Sequence, residues 1–303
     1  MQTTRRRFIT SAFGYSLGMT LSRTLPFAAN ATKSIPIGFQ LYTVRGEFSR
    51  NPPGTLKRLG QLGYQGVEFW GYGGTPNIYQ QFSASEMRKL LDETALKCCG
   101  IHLELNALSK DNLQRTIENS QSLGNEYLNL AAARDKMGSK AAITELAALL
   151  NGAAAQCRPH KMTVGYHAHP FDFAKIDGRF AWEILFSQTQ PEVNMQMDVG
   201  NCLAGEGDPI GMLKEFPGRT QTIHLKERED KTFGSDFYKE VFRLCETTSA
   251  TKWYIVEMGG PEGNGFEVPA QALAKLRQLG KQLPNQDEPT NGPAGPVALN
   301  MKD

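Results

Sequence analysis

The 303-residue chain is short of several features that would settle its class at once. Its five cysteines, Cys98, Cys99, Cys157, Cys202 and Cys245, are odd in number and never spaced CxxC. That excludes a disulfide framework. The Cys98-Cys99 pair lies in an apolar run and reads as small packed hydrophobes. Cys202 is near a motif discussed below, and there too packing is a better reading than a soft metal ligand. No GxGxxG follows any strand-like run, so an open, doubly wound nucleotide-binding sheet has no phosphate loop to support it. Charge is also nearly balanced. The net charge is +2, but Arg5, Arg6, Arg7 and Arg23 all fall within the first 31 residues, which hold no acid. Without those four charges the rest of the chain stands at −2. A slightly acidic body without a basic stripe gives no reason to expect a nucleic-acid partner.

Long apolar runs are missing as well. The most apolar N-terminal stretch, from Phe8 to about Leu25, is broken by Gly14, Ser16, Gly18 and Arg23 and is too short and polar for a good membrane span. It follows Thr4-Arg5-Arg6-Arg7-Phe8-Ile9-Thr10, which resembles a twin-arginine export motif, and precedes Ala29-Asn30-Ala31, a small-x-small cleavage site. Residues 1–31 are therefore expected to be a cleaved signal read by the twin-arginine machinery, with no stable membrane insertion afterwards. The expected location is the periplasm or another exported compartment. That route carries folded proteins, which suits a cofactor loaded inside the cell. The tail, residues 283–303, is rich in Pro, Asn and Gly without apolar periodicity and is expected to be disordered.

Between these ends, β-rich runs alternate with amphipathic stretches. Strands are predicted at Ile35–Tyr42, Gly66–Trp70, Cys98–Leu103, Tyr127–Ala131, Met162–His167, Val193–Asp198, Thr220–His224 and Trp253–Glu257. Helical patterns fall near 54–62, 84–95, 110–123, 138–157, 180–188, 209–215, 236–247 and 268–281. Eight such pairs predict an α/β fold, a single (β/α)8 barrel over residues 32–282.

Four polar clusters end apolar runs in the second half: Tyr166-His167-Ala168-His169, Asp198-Val199-Gly200-Asn201, His224-Leu225-Lys226-Glu227 and Val256-Glu257. His167, Asp198, His224 and Glu257 are 31, 26 and 33 residues apart. One strand-helix unit takes about 30 residues, so these side chains recur once per unit. Consecutive barrel strands bring their C-terminal ends to one mouth. Two imidazoles and two carboxylates would meet there as ligands for one divalent ion. Taken singly, Asp198 reads equally well as a helix cap, His224 as a satisfied buried histidine and His169 as a loop residue. Their shared placement carries the argument. His167 and His169 are two apart, so on an extended strand both can face the mouth; either could be the ligand, with the other free as base or clamp. Lys226 lies two residues beyond His224 and could act as acid or charge stabiliser. Gln40, Glu68 with Trp70, and His102 with Glu104 end the first three strands and are candidate substrate-binding residues. Trp70, Tyr72 and Phe171 could stack on a sugar ring or simply pack the rim.

These motifs resemble a known family. Gly38-Phe39-Gln40-Leu41-Tyr42-Thr43-Val44-Arg45, Gly66-Val67-Glu68, Tyr166-His167-Ala168-His169-Pro170-Phe171-Asp172-Phe173, Asp198-Val199-Gly200-Asn201, Pro217-Gly218-Arg219, His224-Leu225-Lys226-Glu227 and Trp253-Tyr254-Ile255-Val256-Glu257 look like the xylose isomerase-like TIM barrels often labelled sugar phosphate isomerases/epimerases. The resemblance covers about residues 35 to 281. It implies one divalent metal, commonly manganese, cobalt or magnesium, with zinc also compatible with these donors, held by Glu, Asp, His and Glu. Here the last three positions fall on Asp198, His224 and Glu257. The first falls on or near His167, a departure, because epimerases of the family use two glutamates as bases on opposite faces of the substrate.

The resemblance implies a metal-dependent sugar isomerase/epimerase that abstracts a proton next to a carbonyl of a keto-sugar or related polyol. Glu257 or His169 would take the proton. Outside the inner membrane phosphorylated sugars are scarce, so an unphosphorylated carbohydrate is the expected partner, and a homo-oligomer is left open. Rival readings are a lyase, dehydratase or keto-glycoside-cleaving enzyme on the same site, a non-catalytic periplasmic sugar-binding protein, and a metal-dependent nuclease, which the acidic body disfavours.

Overall fold

In the computed structural model, which describes residues 34–258 and 265–281, each β-rich run becomes one strand of a single parallel sheet of eight. The strands are β1 (Ile37–Gln40), β2 (Gly66–Tyr72), β3 (Lys97–Leu103), β4 (Tyr127–Leu130), β5 (Thr163–His167), β6 (Asn194–Gln196), β7 (Thr222–Leu225) and β8 (Trp253–Val256). They pair in the order β6-β5-β4-β3-β2-β1-β8-β7. The two end strands meet through a parallel bridge, Asp198 to His224. The His224 amide donates to the Met197 carbonyl (2.8 Å), and the Met195 amide to that of Arg219 (2.7 Å). This nearly closed barrel is the (β/α)8 fold expected from the alternation.

The surrounding helices are α1 (Arg45–Arg50), α2 (Pro52–Leu62), α3 (Ala84–Glu93), α4 (Leu113–Leu123), α5 (Lys140–Cys157), α6 (Ala181–Phe186), α7 (Val199–Ala204), α8 (Pro209–Glu215), α9 (Asp236–Thr247) and α10 (Glu267–Gln278). Their ends follow local chemistry. Ser83 accepts from the Glu86 amide, while Glu86 accepts from the Ser83 amide at 2.9 Å, so a capping box starts α3. Helix α9 buries Tyr238, Val241, Phe242, Leu244 and Cys245, the i, i+3, i+4 pattern of a core-facing stripe. The short helices α1 and α7 were not expected from the sequence. Neither were two small hairpins, Asn77–Tyr79 with Phe82–Ser83 and Lys175–Ile176 with Arg179–Phe180. Among the described residues no helix is long and apolar enough to cross a membrane. The twin-arginine-like leader and the tail from residue 283 lie outside the described residues.

The apolar core fills the space between sheet and helices, with Trp182, Tyr166, Phe39, Phe69 and Phe242 among its large buried side chains. Inside the barrel, where branched aliphatics usually stack, one layer is polar. Asn194 donates to Oδ1 of Asn129 (2.9 Å) and to Oγ1 of Thr222 (2.9 Å), and Gln196 donates to the same hydroxyl at 3.0 Å. This layer is the floor of the site.

Candidate metal centre and active site

His167 ends β5, Asp198 follows β6, His224 lies in β7 and Glu257 follows β8, so four successive strands deliver four donors to one mouth. One ligand atom from each lies within 4.8 Å of the others. Nδ1 of His224 is 2.8 Å from Oε2 of Glu257 and 3.9 Å from Oδ2 of Asp198. Asp198 is wholly buried and performs two tasks at once. Its Oδ1 accepts from the Asn201 amide (2.7 Å) and caps α7, while Oδ2 faces the Lys226 ammonium at 3.3 Å. The cap reading is correct, and the second carboxylate oxygen stays turned toward the other candidate donors. Lys226 also stands 3.7 Å from Glu257 and 3.4 Å from Oδ1 of Asn201.

Beneath the quartet lies a second tier. The wholly buried Glu68 accepts through Oε2 from Nε2 of His224 (2.6 Å) and from the Gln40 amide (2.8 Å), and Nε2 of His102 is 3.1 Å away. Its Oε1 accepts from the Gln196 amide at 2.7 Å. Nε2 of His102 also lies 2.8 Å from Oε1 of Gln196, and its Nδ1 faces the Gln40 amide at 3.4 Å. The His102 ring stacks on that of His224, 5.2 Å apart and within 10° of parallel.

The electrostatics follow from this arrangement. Burial alone would raise the Glu68 carboxyl, but His102 and His224 beside it hold it well below the usual range. Glu257 is likewise held low, by His224 and Lys226 against the effect of burial. His224, between the two carboxylates, is raised to about 10 although burial opposes it. Asp198, desolvated and near Glu257, is pushed up to about 6 despite Lys226. His167 is driven far down by burial and by the neighbouring imidazoles, and His169 down to about 4 for the same reasons.

The donors suit a divalent cation. Two imidazoles and two carboxylates form an N2O2 set typical of manganese, cobalt, iron or zinc sites. Nδ1 of His167 and Nδ1 of His169 are buried without a hydrogen-bond partner in the protein, which is costly unless something else binds there. Three carboxylates, Glu68, Asp198 and Glu257, converge on His224 and Lys226, so added positive charge is favoured.

Of the residues singled out in the sequence, His167, Asp198, His224, Glu257 and Lys226 come together. His169 stands beside them, its ring 5.0 Å from that of His167 and perpendicular to it, stacked on Phe171 at 5.3 Å. Gln40, Glu68 and His102 are brought to the site from below, with their polar atoms bound to one another and to His224 and Gln196. Trp70 sits half-buried at the rim against Tyr42, Phe48 and Tyr79. Tyr72 is not available for stacking, since it is buried and its hydroxyl donates to the Thr75 carbonyl. Cys202 is buried, as expected of a packing residue. Sequence reading gave no role to Gln196, nor to Asn201 and Asp172 within the motifs it quoted; Asp172 accepts from the Tyr166 hydroxyl (2.9 Å) and the His169 amide (2.7 Å). Gln196 had a signal: a polar residue two before Asp198 in an apolar strand must share its inward face.

A parallel α/β barrel carrying a metal-type ligand quartet at the C-terminal ends of its strands defines the class. The chain belongs to the xylose isomerase-like TIM barrel family, whose model matches residues 56–279. Among curated proteins none matches the sequence. Solved structures similar to it include a sugar phosphate isomerase/epimerase from Parabacteroides distasonis, 21% identical, TM-score 0.71, covering 84% of this chain and 97% of the other. A 3-keto-D-glucoside 4-epimerase from E. coli is 14% identical with TM-score 0.59, over 80% of this chain and 99% of its own. A probable 3-DHS dehydratase from Bacillus anthracis has the same identity, TM-score and coverage. At these identities the likeness is one of fold.

Proposed function

We propose that this protein is a divalent-metal-dependent sugar isomerase/epimerase, exported from the cell, that acts next to a carbonyl of an unphosphorylated keto-sugar or related polyol. The observation that carries the reading is the convergence of His167, Asp198, His224 and Glu257 within ligand distance. The isomerase/epimerase labels of related barrels support it, and the N-terminal twin-arginine resemblance supports the location. His167, Asp198, His224 and Glu257 would hold the cation, which would supply polarisation of a bound carbonyl and so acidify the adjacent C–H. Glu257 is the base. It is kept ionised by its neighbours, and its side chain retains 15% exposure while Asp198 has none. Lys226, 21% exposed at the side chain and raised above its ordinary value by Asp198 and Glu257, supplies positive charge to the developing oxyanion. His169, neutral at neutral pH, can relay the proton or hold a hydroxyl. A single accessible carboxylate suffices to move a proton between neighbouring carbons on one face, which is isomerisation.

A second reading has its own observation. Histidine stands at position 167, where the resemblance implies glutamate, so the opposite face lacks a carboxylate. Proton removal by Glu257 with expulsion of a β-leaving group, the proton for it coming from Lys226, would make the enzyme a lyase. Both readings share the first step.

Elemental analysis of the purified protein beside Asp198→Ala and His224→Ala tests the site: about one manganese, cobalt, zinc or magnesium per chain, lost in both variants, is expected. No metal even after reconstitution would overturn the reading and leave sugar binding without catalysis. Deuterium uptake from solvent at the acidified carbon of a keto-sugar tests the shared step.

A further inference from the structure

Three features of the barrel converge on Glu68, and none of them serves an ordinary core residue. The first is its hydrogen bonding. Oε2 takes Nε2 of His224 at 2.6 Å and the Gln40 amide at 2.8 Å, Oε1 takes the Gln196 amide at 2.7 Å, and the side chain has no exposure. Both oxygens are held by protein donors, and the buried side chain has no surface to offer a substrate. The second is a bulge. The pairing of β2 with β3 steps from Val67 opposite Cys98 to Glu68 opposite Gly100, skipping Cys99. Bulges of this kind re-aim a side chain beside an active site. The third is Gly100 itself. A Cβ at that position would collide with Oε1 of Glu68, so the strand opposite keeps a gap of one methyl group for this carboxylate.

We propose that Glu68 is the positioning residue of the metal centre. Its carboxylate accepts the Nε2 proton of His224 and so turns Nδ1 toward Glu257 and Asp198, as the nitrogen that would give up its proton to a cation. A neutral imidazole with one nitrogen locked by a carboxylate is both oriented and made a stronger donor. Gln40, Gln196 and His102 keep the carboxylate itself from turning. The inference rests on the metal site proposed above, and it reassigns Glu68 from the substrate pocket to the support beneath it.

The test is calorimetric titration of manganese into the metal-free protein, comparing wild type with Glu68→Gln and Thr222→Val. Thr222 belongs to the same buried polar layer but does not touch His224, so it reports general loosening of the floor. The expected result is one site in wild type, an affinity about 10- to 100-fold weaker in Glu68→Gln, and an affinity within about threefold of wild type in Thr222→Val. Equal affinity in Glu68→Gln, or an equal loss in Thr222→Val, overturns the proposal while leaving the metal site intact. A wild type that takes up no metal overturns both. Should Glu68→Gln fail to fold, long-range proton–nitrogen spectra of the zinc-loaded wild type decide the matter. The proton of His224 is expected on Nε2, and a proton on Nδ1 overturns the assignment.

Discussion

The Lys226 ammonium lies 3.3 Å from Oδ2 of Asp198 because the helix that Asp198 caps carries no side chain at its second residue. A Cβ on Gly200 would come within 2.6 Å of Cγ and Cδ and 2.8 Å of Cβ of Lys226. These are not the free end of the chain, so the lysine or the helix must shift. Gly200→Ala would otherwise favour helix by about 1 kcal/mol. Here it is expected to destabilise by about 1–3 kcal/mol through overpacking. If the cost runs through Lys226, it shrinks in a Lys226→Ala background. Urea unfolding of the two single variants and the double variant measures this, and additivity within about 0.5 kcal/mol would show that Gly200 and Lys226 are not coupled.

Asp172 sets a pH dependence. Its carboxyl is raised to about 7 by burial, against the hydrogen bonds from the His169 amide and the Tyr166 hydroxyl and the nearby Arg134. The folded value exceeds the unfolded one, near 3.8. The folded state therefore keeps a proton that the unfolded state loses between about pH 4 and 7, and stability from this group falls with rising pH across that window and is flat above it. At about 1.4 kcal/mol per unit the full span is roughly 4 kcal/mol. Asp172→Asn should flatten the slope of Tm from pH 4 to 7, and a slope unchanged by the substitution would contradict the assignment.

The five cysteines are all buried, and burial raises every thiol, that of Cys157 to about 11 and that of Cys245 to about 12. Thiolate is the reacting species, so the folded protein should resist a disulfide exchange reagent at pH 8 and consume five equivalents once denatured. Fast reaction of even one thiol in the folded state would point to local opening at that residue.

What the sequence revealed about this site depended on backbone periodicity. The polar residue ending each of four apolar runs marked where β5 to β8 deliver their donors, and the observed strands begin and end within three residues of the predicted bounds. The lower tier was less visible. Gln40, Glu68 and His102 were recognisable as strand-end residues, but their direction was not, because it depends on the bulge that pairs Glu68 with Gly100 and on contacts between residues such as Glu68 and His224, 156 positions apart. Gln196 went unnoticed for a related reason. An amide within a strand has no chemistry of its own until Glu68, His102 and Thr222 surround it. Helix α7 escaped because its six residues, Val199–Ala204, are too few to show a period, even though Asp198 was open to reading as a cap.

The geometry distinguishes His167 from His169 as candidate ligands. Only His167 belongs to the group whose donors lie within 4.8 Å of one another. His169 lies past the end of β5, its ring edge-on to His167 and stacked on Phe171, and the Arg134 guanidinium lies 4.3 Å from the centre of the Phe171 ring. Its amide, not its ring, is the group tied down, by Asp172. His167→Ala should therefore lose the metal, with affinity falling at least tenfold, whereas His169→Ala should keep one ion per chain at near wild-type affinity. Any turnover is expected to fall in both variants, because His169 is a candidate for the proton or a substrate hydroxyl. Metal content after dialysis, read beside calorimetric affinity, distinguishes them. The opposite pattern, metal kept without His167 and lost without His169, would move the fourth ligand into the loop and require the β5 end to turn on binding.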